Sequence, residues 1–335
     1  MKILIVGCGS IGERHLRNLK KIFRGEILVC DKDESKLQRI SQIYKVRTFL
    51  NYDDALKEKP CLALICVPTA LHFPFAYKSL ENNCHVFIEK PITSDLDSAD
   101  KLIDLAKRKN LKIYVGFNFR FNPHFKEIKK MLDNGMLGTI YSARAYFGSY
   151  LPDRHPGQDY RKDYGGKKEL GGGVILDAGS HIIDYLSWFF GDIVEVGAYI
   201  QKRSKLEIDV EDNAEILLRF KDGLIVNVHI DFLRRPWLHF FEILGEKGTL
   251  SWSFSAKECK LKFFDFAKRK WKNIMPKVDI YSMYEEEMKN LLSSLDGGKS
   301  MLVDGESARR NLFILQKIIE SNKERKFIRI IPEKE

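Results

Sequence analysis

The sequence predicts two folds in succession: an α/β domain with a doubly wound parallel sheet over residues 1–118, then an α+β domain on a large, mainly antiparallel open sheet over 119–335. Three observations predict it. Short apolar runs alternate with amphipathic segments through about residue 115, the pattern of repeated βα units. A glycine-rich turn directly follows the first apolar run. After Phe117 the pattern changes to longer segments of alternating polarity separated by turn residues. A chain of 335 residues is long for one core and sufficient for two.

Residues 3–6 form a continuous apolar run, as a strand covered on both faces requires. Residues 12–23 have helical spacing, 27–30 read as a second strand, and 34–44 as a helix with Asp33 as N-cap. Strands follow at 62–67, 84–88 and 111–116, with helices near 72–82 and 94–109 between them. Ser94 is the expected N-cap of the latter, with Asp97 as an imperfect capping box.

Beyond Phe117 a helix at 123–132 precedes strands at 139–150, 194–202, 214–220, 224–232, 240–244, 249–254 and 260–266. Lys221-Asp-Gly-Leu224 and Gly245-Glu-Lys-Gly248 are turn signals, so the strands on either side should pair as antiparallel hairpins. Helices near 281–296 and 305–322 and a strand at 327–331 end the sequence.

The formal net charge is +10, but the basic residues are spread out. The densest patches, Lys107-Arg-Lys109 and Lys268-Arg-Lys-Trp-Lys272, suit solvated faces, and no nucleic-acid-binding motif accompanies them. No window approaches a membrane span. The six cysteines form no CxxC pair and no regular framework, and most sit in apolar settings. A cytoplasmic protein with neither nucleic-acid nor membrane partners is expected.

The glycine-rich turn is Gly7-Cys-Gly-Ser-Ile-Gly12, placed between a strand and a helix. In that context Gly7 permits the tight turn, Gly9 lets backbone approach a pyrophosphate, and Gly12 allows close helix–strand packing. Ser10 and Ile11 open the helix whose N-terminus would face the phosphates. The domain is therefore expected to be a Rossmann dinucleotide-binding domain. Asp31 ends the second strand, where a carboxylate accepts from the adenine-ribose hydroxyls and repels a 2′-phosphate. NAD is the expected cofactor; the adjacent Lys32 softens the repulsion and leaves NADP open.

Two further places carry chemistry. Lys90 sits between Glu89 and Pro91 at a strand's carboxyl end, where ligands of doubly wound sheets bind. A lysine there can donate to a reacting oxygen. Gly171-Gly-Gly173 opens a segment in which Asp177 and His181 stand four apart, on one side of a helix. Such a pair can act as an acid/base unit. Helix capping by Asp177 stays open. A metal role is not supported, because no HExxH and no partner at ligand spacing accompanies the pair.

These motifs occur in one order: GCGSIG, Glu89-Lys90-Pro91, Gly116-Phe-Asn-Phe-Arg-Phe-Asn-Pro123, then the glycine loop with Asp177 and His181. Together they resemble the Gfo/Idh/MocA oxidoreductase family over nearly the whole chain. The resemblance implies reversible oxidation of a sugar or polyol hydroxyl by a nicotinamide cofactor. It also implies a C-terminal sheet that mediates a homodimer or homotetramer. In that pattern Lys90 bonds the reacting oxygen, His181 takes its proton, and Asp177 holds the substrate or the histidine. Pro68, Thr69 and His72 match the cofactor-lining loop, Glu89 a positioning residue, and Asn118 and Arg120 the edge of the substrate pocket. The Lys90–Pro91 peptide is expected to be cis.

Residues 151–170 form a long loop with Arg154, His155, Tyr160, Arg161 and Tyr164, suited to stacking on a sugar and pairing with anions. Tyr160 and Arg161 are the expected substrate contacts, and an acidic or nucleotide-linked sugar of surface-polysaccharide metabolism is the expected substrate. The alternatives are an inositol or polyol dehydrogenase, a cofactor-binding regulator without redox activity, and an NAD-dependent glycosidase.

Overall fold

The structure, a computed structural model, describes residues 1–255, 258–276, 279–295, 297–298 and 303–331. In chain order the first elements are β1 (Lys2–Val6), α1 (Ser10–Ile22), β2 (Glu26–Cys30), α2 (Glu34–Tyr44), β3 (Arg47–Phe49), α3 (Tyr52–Lys57), β4 (Leu62–Ile65), α4 (His72–Glu81), β5 (His85–Glu89), α5 (Leu96–Lys109) and β6 (Ile113–Gly116). There follow α6 (Pro123–Asp133), β7 (Ile140–Gly148), α7 (Ser180–Phe190), β8 (Ile193–Gln201), β9 (Asn213–Phe220), β10 (Ile225–Asp231) and β11 (Leu238–Gly245). The last are β12 (Gly248–Ser255), β13 (Cys259–Asp265), β14 (Lys270–Asn273), α8 (Met283–Leu295), α9 (Gly305–Glu324) and β15 (Ile328–Arg329). Residue 296, the expected end of the helix begun near 281, lies outside the described residues.

Two compact units emerge: Met1–Asn122 with Tyr281–Leu312, and Pro123–Ile280 with Phe313–Glu335. This division differs from a single cut at 118/119, because α8 packs into the core of the first unit through Met283, Met288 and Leu291. Order along the chain carries no signal for such a return.

In the first unit the strands run parallel in the order β3-β2-β1-β4-β5-β6. The order reverses between β1 and β4, which makes their carboxyl ends the switch point where ligands bind. Ile3, Leu4 and Ile5 of β1 and all of β4 are buried, as a strand covered on both faces must be. Two expectations needed correction. The N-cap of α5 is Asp95, not Ser94: its carboxylate accepts from Ser98 N at 2.8 Å. Both β3 and α3 were missed, being too short for a periodic signal; Asn51 caps α3 by accepting from Asp53 N at 2.8 Å.

The described residues of the second unit build a nine-stranded sheet, ordered β14-β13-β12-β11-β7-β10-β9-β8-β15. It is antiparallel except for the β7–β10 pair. Both expected hairpins are present, β9–β10 and β11–β12. β9 alternates strictly, burying Ala214, Ile216, Leu218 and Phe220 and turning Glu215, Leu217 and Arg219 outward. The buried face meets α6 and α7 in an aromatic core, where Phe125 stands edge-on to Tyr185 at 4.8 Å and to Trp252 at 4.7 Å. The other face exposes Tyr199 at 70% and Leu217 at 41%.

Candidate active site

The glycine turn is built for a close approach. Gly7 adopts φ +92°, which an L side chain rarely does, and its N–H donates to Cys30 O at 2.8 Å. A Cβ on Gly12 would collide with the carbonyl oxygen of Gly7, whereas a Cβ on Gly9 would meet nothing within 4 Å. Gly9 is also the N-cap of α1 and supplies no side-chain cap. The first N–H groups of a three-turn helix therefore face the open side of the turn, the requirement for a pyrophosphate. Gly9 and Ser10 are exposed and Ile11 is half-buried.

Asp31 is held rather than loose. Its Oδ2 accepts from Cys8 N at 2.6 Å and its Oδ1 from Asp33 N at 2.9 Å, which ties the end of β2 to the glycine turn. Each oxygen keeps a further lone pair for a ribose hydroxyl. Asp31→Ser is expected to tighten NADP(H) binding by roughly tenfold while weakening NAD(H); titration of both cofactors against the variant checks it, and unchanged NADP(H) affinity would count against the assigned contact.

The segments after β4 and β5 are pinned together by one imidazole. His72 is buried; its Nδ1 lies 2.8 Å from Pro91 O and its Nε2 2.9 Å from Val67 O. Both ring nitrogens face backbone carbonyls; a neutral ring donates to one of them, and only an imidazolium could donate to both. Burial pushes its pKa down. The Lys90–Pro91 peptide is cis. Pro68 and Lys90 are half-buried and Thr69 is buried. Asn118 and Arg120 lie in the turn Asn118–Phe121 that follows β6, Asn118 buried and Arg120 half-buried.

Behind β5 lies a cluster the sequence did not reveal. Glu89 Oε1 sits 2.6 Å from Nε2 of the fully buried His15, and Glu89 Oε2 accepts from Lys90 N at 3.3 Å. Glu287 on α8 is 1% exposed, and neither of its carboxyl oxygens has a hydrogen-bond partner among the described residues. Burial first, and the nearby Glu89 charge second, hold its pKa well above the carboxylate range. In the unfolded chain it ionises in that range, so its share of stability is full below it and declines as pH rises above it. Glu287→Gln should therefore raise the melting temperature at pH 8 by about 2–4 °C and change it little near pH 4. A pH-independent difference in thermal melts would contradict this.

In the second unit Asp177 does not cap a helix. It lies inside a π-helical turn, Ile175–Gly179, that runs straight into α7, and it is buried. π turns widen a helix locally and recur at functional sites. Glu211 holds the turn from outside, its Oε1 accepting from Ile175 N at 3.2 Å. The Asp177 carboxylate accepts from Arg154 Nη1 at 2.5 Å on Oδ2 and from Tyr164 Oη at 2.7 Å on Oδ1. Burial, then the Asp177 charge, push the Tyr164 phenol well above its ordinary pKa, so it stays a donor. His181 is the second residue of α7 and is half-buried.

The 151–170 segment is a chain of short 3₁₀ turns rather than an irregular loop. Arg161 is 54% exposed and pairs with Asp159 at 2.8 Å and Glu207 at 3.1 Å; Tyr160 Oη accepts from Glu207 N at 3.3 Å. Arg154 and Tyr164 are the residues of the segment that bond the Asp177 carboxylate. Spacing gave no means of telling which arginine and which tyrosine would do so. Among the described residues no group of three or more His, Cys, Asp or Glu is placed to hold a metal ion, and no helix is long and apolar enough to cross a membrane.

Residues 1–117 match the family model described as an oxidoreductase family with an NAD-binding Rossmann fold, and residues 125–251 match the Gfo/Idh/MocA C-terminal domain. The chain belongs to the Gfo/Idh/MocA oxidoreductase family. As a member it is an oxidoreductase whose N-terminal Rossmann domain binds NAD. Among its relatives, myo-inositol 2-dehydrogenase of Thermotoga maritima is 26% identical over 342 residues, covering 98% of each chain. A dTDP-3,4-didehydro-2,6-dideoxy-α-D-glucose 3-reductase of Saccharopolyspora spinosa is 26% identical over 256 residues, 75% of this chain and 74% of that one. The WlbA dehydrogenase of Bordetella pertussis, solved with NADH and UDP-GlcNAcA, superposes with a TM-score of 0.84 at 23% identity over 99% of both chains, which establishes a shared fold.

Proposed function

We propose that this family member is an NAD-dependent dehydrogenase of a sugar hydroxyl, and that the sugar is acidic or nucleotide-linked, as in surface-polysaccharide metabolism. The observation that supports the reading is the buried His72 ring, which lies between the carbonyls of Val67 and Pro91, at 2.9 and 2.8 Å from its nitrogens, and so packs the loop at the switch point against the residue after Lys90. A lysine held there stands where a doubly wound sheet places its ligand. Gly7, Gly9, Ser10, Ile11 and Gly12 would hold the pyrophosphate and Asp31 the ribose; Pro68, Thr69 and Glu89 would shape the remaining wall. When bound, NAD exchanges a hydride with the carbon bearing the hydroxyl. Lys90 donates a hydrogen bond to that oxygen, His181 takes or returns its proton, and Asp177 holds the substrate or the histidine. Asn118, Arg120, Tyr160 and Arg161 would contact the sugar.

The charged substrate is supported by the +10 formal charge and by the arginines of 151–170. The sugar nucleotides named for the reductase and for WlbA point the same way. A second reading, a neutral polyol, is favoured by the near-full-length likeness to a myo-inositol 2-dehydrogenase. Following NADH formation with UDP-GlcNAcA, glucose 6-phosphate and myo-inositol separates them: turnover of the anionic sugars alone supports the first, and turnover of myo-inositol alone overturns it. The exposed sheet face with Tyr199 and Leu217 supports a homodimer or homotetramer, which light scattering reads directly. The buried thiols of Cys8, Cys30, Cys66 and Cys84 suit the cytoplasm.

A further inference from the structure

One buried pair joins the helix of the glycine turn to the backbone of Lys90. His15 lies on α1 and has no exposed surface. Its Nε2 stands 2.6 Å from Oε1 of Glu89, the last residue of β5. The other carboxyl oxygen, Oε2, accepts from Lys90 N at 3.3 Å. One carboxylate therefore runs from the helix that opens at the glycine turn to the main chain of the lysine.

Both ends of the link are confined. The His15 ring stands edge-on to Phe87 of β5, at 5.4 Å, and to Tyr284 of α8, at 6.4 Å. Glu89 pairs with Gly116 across β5 and β6, and a Cβ on Gly116 would come within 3.2 Å of Oε2, so the carboxylate sits where a side chain is missing. Packing alone does not account for the histidine. A leucine fills such a space without desolvating polar atoms, whereas this ring has left water at both nitrogens and regained one bond. Its Nδ1 is buried with no hydrogen-bond partner among the described residues. The tautomer with its proton on Nε2 donates to Glu89 and leaves Nδ1 a bare acceptor, the arrangement that buries no unpaired N–H. What the ring adds to the structure is a single directed hydrogen bond, and Glu89 receives it.

We propose that His15 is a positioning residue of the reaction: through the Glu89 carboxylate it fixes the main chain at Lys90, and with it the origin of the side chain that bonds the reacting oxygen. The proposal rests on the dehydrogenase reading for the task of Lys90. His15 acts through Glu89 alone. The reach of the donor at Nε2 therefore matters, and His15 has no further effect once Glu89 is gone.

The test uses the full chain. It reads kcat on whichever of UDP-GlcNAcA, glucose 6-phosphate and myo-inositol the wild type turns over, NADH affinity by titration, and amide hydrogen exchange at Lys90 against Ile88 of β5. His15→Leu is expected to lower kcat by roughly 30-fold and to leave NADH affinity within about threefold. Exchange at Lys90 should quicken by about tenfold while Ile88 is unchanged. His15→Gln, whose amide nitrogen reaches about as far as Nε2, should recover kcat to within about threefold of wild type, and His15→Asn, with a shorter reach, should not. In a Glu89→Ala background the leucine substitution should change kcat by less than about twofold, because the link is already broken. Equal losses in the two backgrounds, wild-type kcat and exchange in the leucine variant, or a fall in NADH affinity that matches the fall in kcat each overturns the proposal. Glu287→Gln, a change in the same buried cluster that keeps both bonds of Glu89, should leave kcat unaltered; a loss as large as that of His15→Leu would assign the effect to packing and overturn the proposal as well. If the leucine variant does not fold, the asparagine variant takes its place in the cycle. A wild type that turns over none of the three compounds refutes the dehydrogenase reading instead, while exchange at Lys90 still decides what His15 does.

Discussion

Lys90→Ala should lower kcat for sugar oxidation by about 1,000-fold while NADH affinity stays within about threefold of wild type. The expectation follows from what the lysine does and does not support. Oxidising an alcohol needs one group to accept the hydroxyl proton and another to stabilise the oxygen as charge develops on it. In the proposed reaction Lys90 has the second task; it follows the carboxyl end of β5, on a segment that His72 fastens to the loop after β4. The proposed cradle for the dinucleotide is made by other residues, Gly7 to Gly12 and Asp31, whose hydrogen bonds run to Cys30 O, Cys8 N and Asp33 N. Removing the ammonium therefore leaves those bonds intact. Stopped-flow turnover and a separate NADH titration check the two halves. Turnover near wild type would remove Lys90 from the mechanism, and a matching loss of NADH affinity would make it a cofactor residue. Lys90→Arg keeps the charge but moves the donors, so little recovery is expected.

The residues differ in how far the sequence revealed them. Gly7, Gly12 and Asp31 were legible because each acts through a local rule: a turn needing positive φ, a close approach that excludes Cβ, a strand end at fixed spacing. Asp177 was visible as a carboxylate one turn from His181, and its partners were not. The nearest of them, Tyr164, is 13 residues away and Arg154 is 23, across a segment holding other arginines and tyrosines with the same local character. The π turn was invisible for a similar reason, since nothing in an apolar run distinguishes a widened turn from a regular one until Glu211 closes on it from another part of the chain. His15, Glu89 and Glu287 illustrate the limit most clearly. On α1 and α8 the histidine and glutamate lie on helices whose spacing does not say what covers them: His15 is buried against Phe87 and Glu89 of β5 and Tyr284 of α8, and Glu287 is buried on α8. The sheet of the second unit was legible from alternation, which fixes what faces the core; its single parallel pair, β7 with β10, depends on a long connection that alternation does not specify.

The glycine turn gives the other large expected effect. Gly12→Ala adds one methyl group, and on most helices alanine is the better residue by roughly 1 kcal/mol. Here the propensity gain is overwhelmed. The new Cβ would fall inside the van der Waals shell of Gly7 O, with Gly7 C at 3.1 Å and Cys66 Cβ at 3.3 Å. The obstacle is backbone, and that backbone is doubly fixed: Gly7 is held at φ +92° and donates to Cys30 O, while Cys66 N donates to Val6 O. No rotamer change relieves it, so either α1 lifts from β1 or the turn opens. Overpacking of this kind costs about 1–3 kcal/mol or more. Because the N–H groups that would meet the pyrophosphate sit on the displaced turn, NADH affinity should fall by about 100-fold or more. The melting temperature should drop by several degrees, since the same clash strains the carboxyl end of β1, where Ile5 and Val6 are buried. Gly9→Ala is the internal comparison: its Cβ meets no protein atom within 4 Å, so it should leave the melting temperature nearly unchanged and weaken NADH alone. If Gly12→Ala weakened NADH no more than Gly9→Ala did, at an unaltered melting temperature, the turn would be soft rather than fixed, and the cradle would owe its shape to the cofactor instead of to the packing of α1 on β1.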